Sequence, residues 1–178
     1  MELFSERSIW TMVHGILLGG GALLGLVAAI FHLYVTRIPP AVDGRSSNPS
    51  RAMARLTALV AGLLWLTVIV GMYVIFPPYR ATPPEGATSL GQYPRALILS
   101  SPETAWLHAF AMETKEHVPV IAGILAAAVA FVAARYGSRL FESLQLRRMT
   151  MTLLVICFVL VAWVSLLGMF INKIAPLQ

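Results

Sequence analysis

Polar residues are so sparse along this chain that its apolar runs set its organisation. Four stretches long enough to cross a hydrocarbon layer as helices alternate with short polar connections, at about 9–36, 54–77, 102–135 and 150–172. The pattern predicts an all-α fold, a four-helix transmembrane bundle that makes residues 1–178 a single integral membrane domain. The second run has no charged residue between Arg55 and Arg80. It stops at Phe76-Pro77-Pro78-Tyr79, two helix breakers with an aromatic anchor. The third opens on a start signal: Ser101 as N-cap, Pro102 in the first helical position, and Glu103 against the positive end of the helix dipole.

Composition agrees, since 58% of the residues are hydrophobic and 12% charged, which excludes an ordinary soluble domain. The net charge of +5 does not point to nucleic acid, because most of the basic residues sit in two short connections. Arg37, Arg45, Arg51 and Arg55 lie around the first, and Arg135, Arg139, Arg147 and Arg148 around the last. The positive-inside rule then predicts both connections in the cytoplasm. Both termini and the longer loop from Arg80 to Ser100 fall on the outer, periplasmic side of a cell (inner) membrane. That loop is long enough to fold over the outer mouth as a lid or docking surface. Glu2 and Glu6 precede Arg7, so the basic opening of a signal peptide is missing. Cys157 is alone, which excludes a disulfide framework and the Cys-x-x-Cys-His attachment of a c-type haem.

The chemistry gathers where the third run begins. His108, Glu113, Lys115, Glu116 and His117 precede Pro119, and ionisable groups at the mouth of a membrane helix mark a functional site by default. On a helical wheel Glu113, Glu116 and His117 share a face, whereas His108 and Lys115 point nearly the other way. Pro119 cannot donate to the Lys115 carbonyl, so a kink is expected there. In the first run His14 and His32 fall in phase with Gly21, Gly25 and Ala28. That stripe is either a small-xxx-small seam for another helix or a shallow groove for a flat macrocycle, with Leu18 packed against it. Trp65, Gly62 and Trp163 read as packing, Cys157 as a small hydrophobe, and Ser165 as bonded to its own helix.

Depth separates the histidines. At a rise of about 1.5 Å per residue, His117 lies about 27 Å and His108 about 40 Å above Arg135. His14 lies about 34 Å above Arg37, and His32 only about 8 Å. Three histidines and two glutamates in one outer zone suggest a bound group. A low-spin haem b needs two axial imidazoles from facing helices; His14 with His117 is the first choice and His14 with His108 the second. Glu113 or Glu116 would fix the imidazole tautomer, and Lys115 would meet a propionate if the kink turned it inward. His32 would serve an inner site, but no other histidine lies at its depth. The alternatives are a non-haem metal ion on Glu113, Glu116, His117 and His14, or a proton or quinol relay through Glu116.

Four spans with His14, His32, His108 and His117 placed in this way resemble the small haem-b membrane subunits of bacterial respiratory complexes, in architecture alone. The spacings His14 to His32 and His108 to His117 depart from the di-haem pattern of such bundles, so one haem is expected rather than two. The resemblance implies an integral subunit that passes electrons, exchanging them with quinone and an outer-face partner. It would be at most one subunit of a membrane oxidoreductase, with lipid and other subunits as its partners. The competing expectation is a non-catalytic structural subunit whose Gly21–Gly25 seam packs on a partner helix.

Overall fold

The computed structural model describes residues 5–36 and 49–176, and every element among them is a helix. Four are long and apolar enough to cross a membrane: α1 (Glu6–Val35), α2 (Pro49–Arg80), α4 (Pro102–Tyr136) and α6 (Leu144–Ile174). Two short helices, α3 (Pro94–Leu99) and α5 (Arg139–Glu142), lie in the connections. Glu2, Arg37, Asp43, Arg45 and most of the polar turn between α1 and α2 fall outside the described residues.

α1 and α6 start earlier than their apolar runs because capping, not hydropathy, fixes their first turns. Ser5 accepts from the Ser8 N–H at 3.2 Å, and Ser143 accepts from the Leu146 N–H at 3.3 Å. Ser101 is the N-cap of α4, accepting from the Glu103 N–H at 3.3 Å, as its sequence position predicts. At the far end of α4, Gly137 has φ +51°, a left-handed conformation that a side chain would strain; it lets the chain turn into α5.

Each long helix packs on its neighbours in sequence, and α1 also meets α6, so the bundle closes with α1 lying diagonally from α4. One core, which includes Leu26, Leu33, Met53, Val60, Val129 and Leu154, fills the end beside α5; we call this the turn end. A second core of Tyr79, Ile98, Leu107, Met112, Leu167 and Ile171 closes the opposite end. Pro94 and Ile98 of α3 are buried there, so the connection between α2 and α4 is folded down as a lid.

Small residues set the helix spacing at the turn end. A methyl added to Gly25 would come within 2.6 Å of Val60 Cγ2, and one on Gly21 within 3.5 Å of Leu63 Cδ1. The stripe expected to face a macrocycle or a partner helix is therefore filled by α2 of the same chain, the close approach that glycine permits. Trp65 covers Gly123 in the same manner, at 3.3 Å from an added methyl. Cys157 is buried and its Sγ–H donates to the Ala122 carbonyl at 3.4 Å, joining α6 to α4. Trp163 corrects an expectation of core packing: it is 45% exposed on the outer surface of α6, where the indole would meet lipid.

His32 is a structural residue of the turn end. Its Nε2–H donates to the Pro49 carbonyl at 3.1 Å, and its ring meets Phe141 edge-on at 5.9 Å. Nearby, Arg147 Nη2 donates to the Tyr34 carbonyl at 2.7 Å, satisfying an orphan acceptor near the C-terminus of α1.

Candidate functional site

Between the two cores the bundle is hollow. A cavity of about 1130 Å³ is bounded by Leu64 and Val161 of the first core and by Tyr79, Met112 and Ile171 of the second. His14 of α1, Thr67 and Gly71 of α2, Lys115, Glu116 and His117 of α4, and Ser165 and Gly168 of α6 all line it.

The hollow coincides with a change in helix winding. Three of the four spans widen from α to π geometry at this level: Val13–Gly20, Gly71–Ile75 and Leu107–Met112. For α2 the cause is local. Pro77 and Pro78 have no N–H to offer the carbonyls four residues back, and the chain responds with a wide turn in which the Phe76 N–H bonds to the Gly71 carbonyl. Such π segments recur at functional sites because they redirect side chains.

His14 stands in the first wide segment with its nitrogen-bearing edge against α2. A methyl on Gly71 would lie 2.9 Å from its Cε1 and 3.6 Å from each ring nitrogen. Its Nδ1 is buried without a hydrogen-bond partner, while the Thr67 carbonyl faces the ring as an acceptor. His117 is exposed toward the cavity mouth. Its Nδ1–H donates to the Glu113 carbonyl at 2.8 Å, which fixes the tautomer and leaves Nε2 as a free lone pair. That task falls to the backbone rather than to the Glu113 or Glu116 carboxylate, as the sequence suggested.

Lys115 extends toward α6, where a methyl on Gly168 would come within 2.7 Å of its ammonium. It points into the bundle, on the side of His14, close enough for the two to interact electrostatically. Ser165 lines the cavity but bonds to the Val161 carbonyl of its own helix at 2.8 Å.

Five sequence candidates stay outside the cavity lining: His32, His108, Gly21, Gly25 and Glu113. His108 is paired with Tyr79, its Nδ1 2.9 Å from the phenol oxygen. Gly21 and Gly25 face α2, as described. Among the described residues no group of three or more His, Cys, Asp or Glu is arranged to hold a metal ion. Glu113 is exposed and does not line the cavity, so the four-donor set of Glu113, Glu116, His117 and His14 is not assembled. Sequence reasoning missed Gly71, Gly168, Thr67 and Tyr79. A signal existed for the first two: each is a glycine in an apolar span at the level of a polar side chain on a neighbouring helix, and Gly168 is the only glycine of α6.

Comparison with protein-family models, with curated proteins and with solved structures finds no match. Fold and site together define a class: an all-helical protein with four helices suited to crossing a membrane and a histidine- and lysine-lined cavity near one end.

Proposed function

We propose that this chain is an integral membrane electron-transfer subunit that holds one haem b in the lid-end cavity, with His14 and His117 as axial ligands. The observation that carries this reading is how the four histidines divide. His32 and His108 are committed to partners of their own. His14 and His117 line one cavity from diagonal spans, each keeping a ring nitrogen that no protein group takes. Two neutral imidazoles from facing helices are a common axial pair for such a haem, and a carbonyl bonded to the other ring nitrogen, as at His117, makes the ligand more basic. The donor set fits the group once the His14 ring turns from α2, where both its nitrogens rest against Gly71, into the cavity.

Bound there, the haem supplies reversible one-electron chemistry. The chain's own residues orient and insulate it. The wide segment around His14 positions the ring, α3 packs on the apolar plug that closes the cavity's outer end, and Glu116 stands at the cavity wall. By the positive-inside rule the cavity belongs to the outer leaflet of the inner membrane, which sets quinone in the lipid and a second subunit at the outer face as exchange partners. A purely structural subunit gains less support, because the glycine seam that would receive a partner helix is filled within the chain.

Protein purified in mild detergent from haem-replete cells is expected to show a Soret band at one haem per chain. His14→Ala and His117→Ala should lose it with unchanged elution, while His32→Ala and His108→Ala keep it. A clean preparation with no band ends the reading.

A further inference from the structure

Lys115 is an inward-pointing amine that no acid among the described residues balances. Among the described residues it makes no hydrogen bond and no ion pair. Glu113 and Glu116 stand within one turn of it on the same helix, yet both are exposed and neither reaches it. An unpaired ammonium in a membrane helix is costly, and removing its water without supplying a counter-charge costs more. The site nevertheless makes room for it. Gly168 is the surface it rests on, and any side chain there would displace the ammonium. The walls around it are of a different kind. Ile16, Met72 and Met169 line the same cavity while being 73%, 49% and 68% exposed on the bundle surface. The cavity therefore runs from the Lys115 amine inside the bundle to apolar rims that face the lipid.

We propose that this cavity binds an amphiphile with a single anionic head, the head paired with Lys115 and the apolar body lying along the lipid-facing rims. The inference shares its cavity with the haem reading above, and there the anion would be a propionate. Its ligand class is set by Lys115, Gly168 and the rims rather than by the histidines. A carboxylate is the head that matches one ammonium in one small recess, so a long-chain fatty acid is the ligand class. A bilayer phospholipid offers the same charge on a larger head.

The test is a fluorescence titration with cis-parinaric acid and with the corresponding uncharged alcohol, in neutral detergent. It is run on the full chain and on the His14→Ala/His117→Ala double variant, which leaves the cavity free of haem. A charge-assisted contact contributes about 1.5–3 kcal/mol, so the double variant should prefer acid to alcohol by about tenfold to a hundredfold. Adding Lys115→Met should abolish the preference, Lys115→Arg should retain part of it, and Gly168→Ala should weaken it. Competition by oleate but not by phosphatidylglycerol supports the fatty acid; the reverse assigns the site to bilayer lipid and overturns the proposed class. Equal affinity for acid and alcohol, or a preference that survives Lys115→Met, overturns the proposal. The Soret band, read on the unsubstituted chain, judges the haem reading separately. Acid-selective binding without a band leaves this inference standing alone, and a band without acid selectivity leaves only the haem.

Discussion

The two ends of this bundle solve opposite problems with the same four helices. At the turn end the spans keep regular α winding, and glycine and alanine let them approach until Gly25 lies under Val60. Polar groups there are spent locally: Thr57 donates to the Met53 carbonyl at 2.9 Å and Thr150 to the Leu146 carbonyl at 2.9 Å. At the lid end three spans change their winding, the helices part around about 1130 Å³, and polar side chains remain without partners. The difference teaches that a bundle holds a cavity where helix regularity is interrupted, and that its stability has to come from elsewhere. Here it comes from the turn-end core and from the apolar plug under the lid.

The sharpest way to break that comparison is to truncate a fully buried side chain at the turn end and a cavity-rim side chain at the lid end. Leu33 has no exposed surface, and Leu33→Ala should cost about 2–5 kcal/mol, because rigid neighbours leave the void unfilled. Met72→Ala, on a cavity rim with 49% exposure, should cost under about 1 kcal/mol. Thermal or denaturant unfolding of both variants in one detergent measures this. Equal losses would mean that the lid end carries as much of the stability as the turn end.

A second contrast uses two glycines where an added methyl would meet a neighbour, at 2.6 Å for Gly25 and 2.9 Å for Gly71. Gly25→Leu forces α1 away from α2, and overpacking of this kind costs about 1–3 kcal/mol, read as a lower unfolding midpoint. Gly71→Ala is met at 2.9 Å by the His14 ring, whose Cα–Cβ torsion can turn it into open space. Its midpoint should move little. In protein carrying haem its Soret band should shift or weaken, because the displaced group is the proposed ligand. A large loss of stability in Gly71→Ala would place that ring among the packing residues.

How much of this was legible depends on whether a feature needs helical phase. The four spans, the Ser101 cap, the self-satisfied Ser165 and the isolation of His32 follow from hydropathy, local chemistry and depth along the axis. All of these survive a change of winding. The common zone of His14 and His117 is also a matter of height alone. What failed was angular. The wheel set His14 in line with Gly21 and Gly25, but the wide segment Val13–Gly20 lies between them. An inserted residue slips the wheel by about 100°, and the glycines face α2 while His14 lines the cavity. Leu107–Met112 similarly separates His108 from Lys115. The wide turn of α2 had a visible cause in Pro77-Pro78, whereas in α4 no proline or glycine marks it. Trp163 failed for another reason: apolar side chains in a membrane helix carry no signature of inside against outside.

The finest test compares two histidines with the same ring and opposite employment. His32→Ala removes the bond to the Pro49 carbonyl, leaves that acceptor at the junction of α1 and α2 unpaired, and deletes the edge contact with Phe141. A net hydrogen bond is worth about 0.5–1.5 kcal/mol, so a loss of about 1 kcal/mol is expected, with the cavity and any bound group untouched. His117→Ala removes a ring that is exposed and bonds only to a carbonyl of its own helix, so its stability should change by less than about 0.5 kcal/mol. Its effect should instead be on ligand binding. Unfolding midpoints and absorption spectra of the two variants, measured side by side, separate these roles. If His117→Ala destabilises the protein and His32→Ala alters the spectrum, the division between a packed end and a binding end is drawn at the wrong level of the bundle.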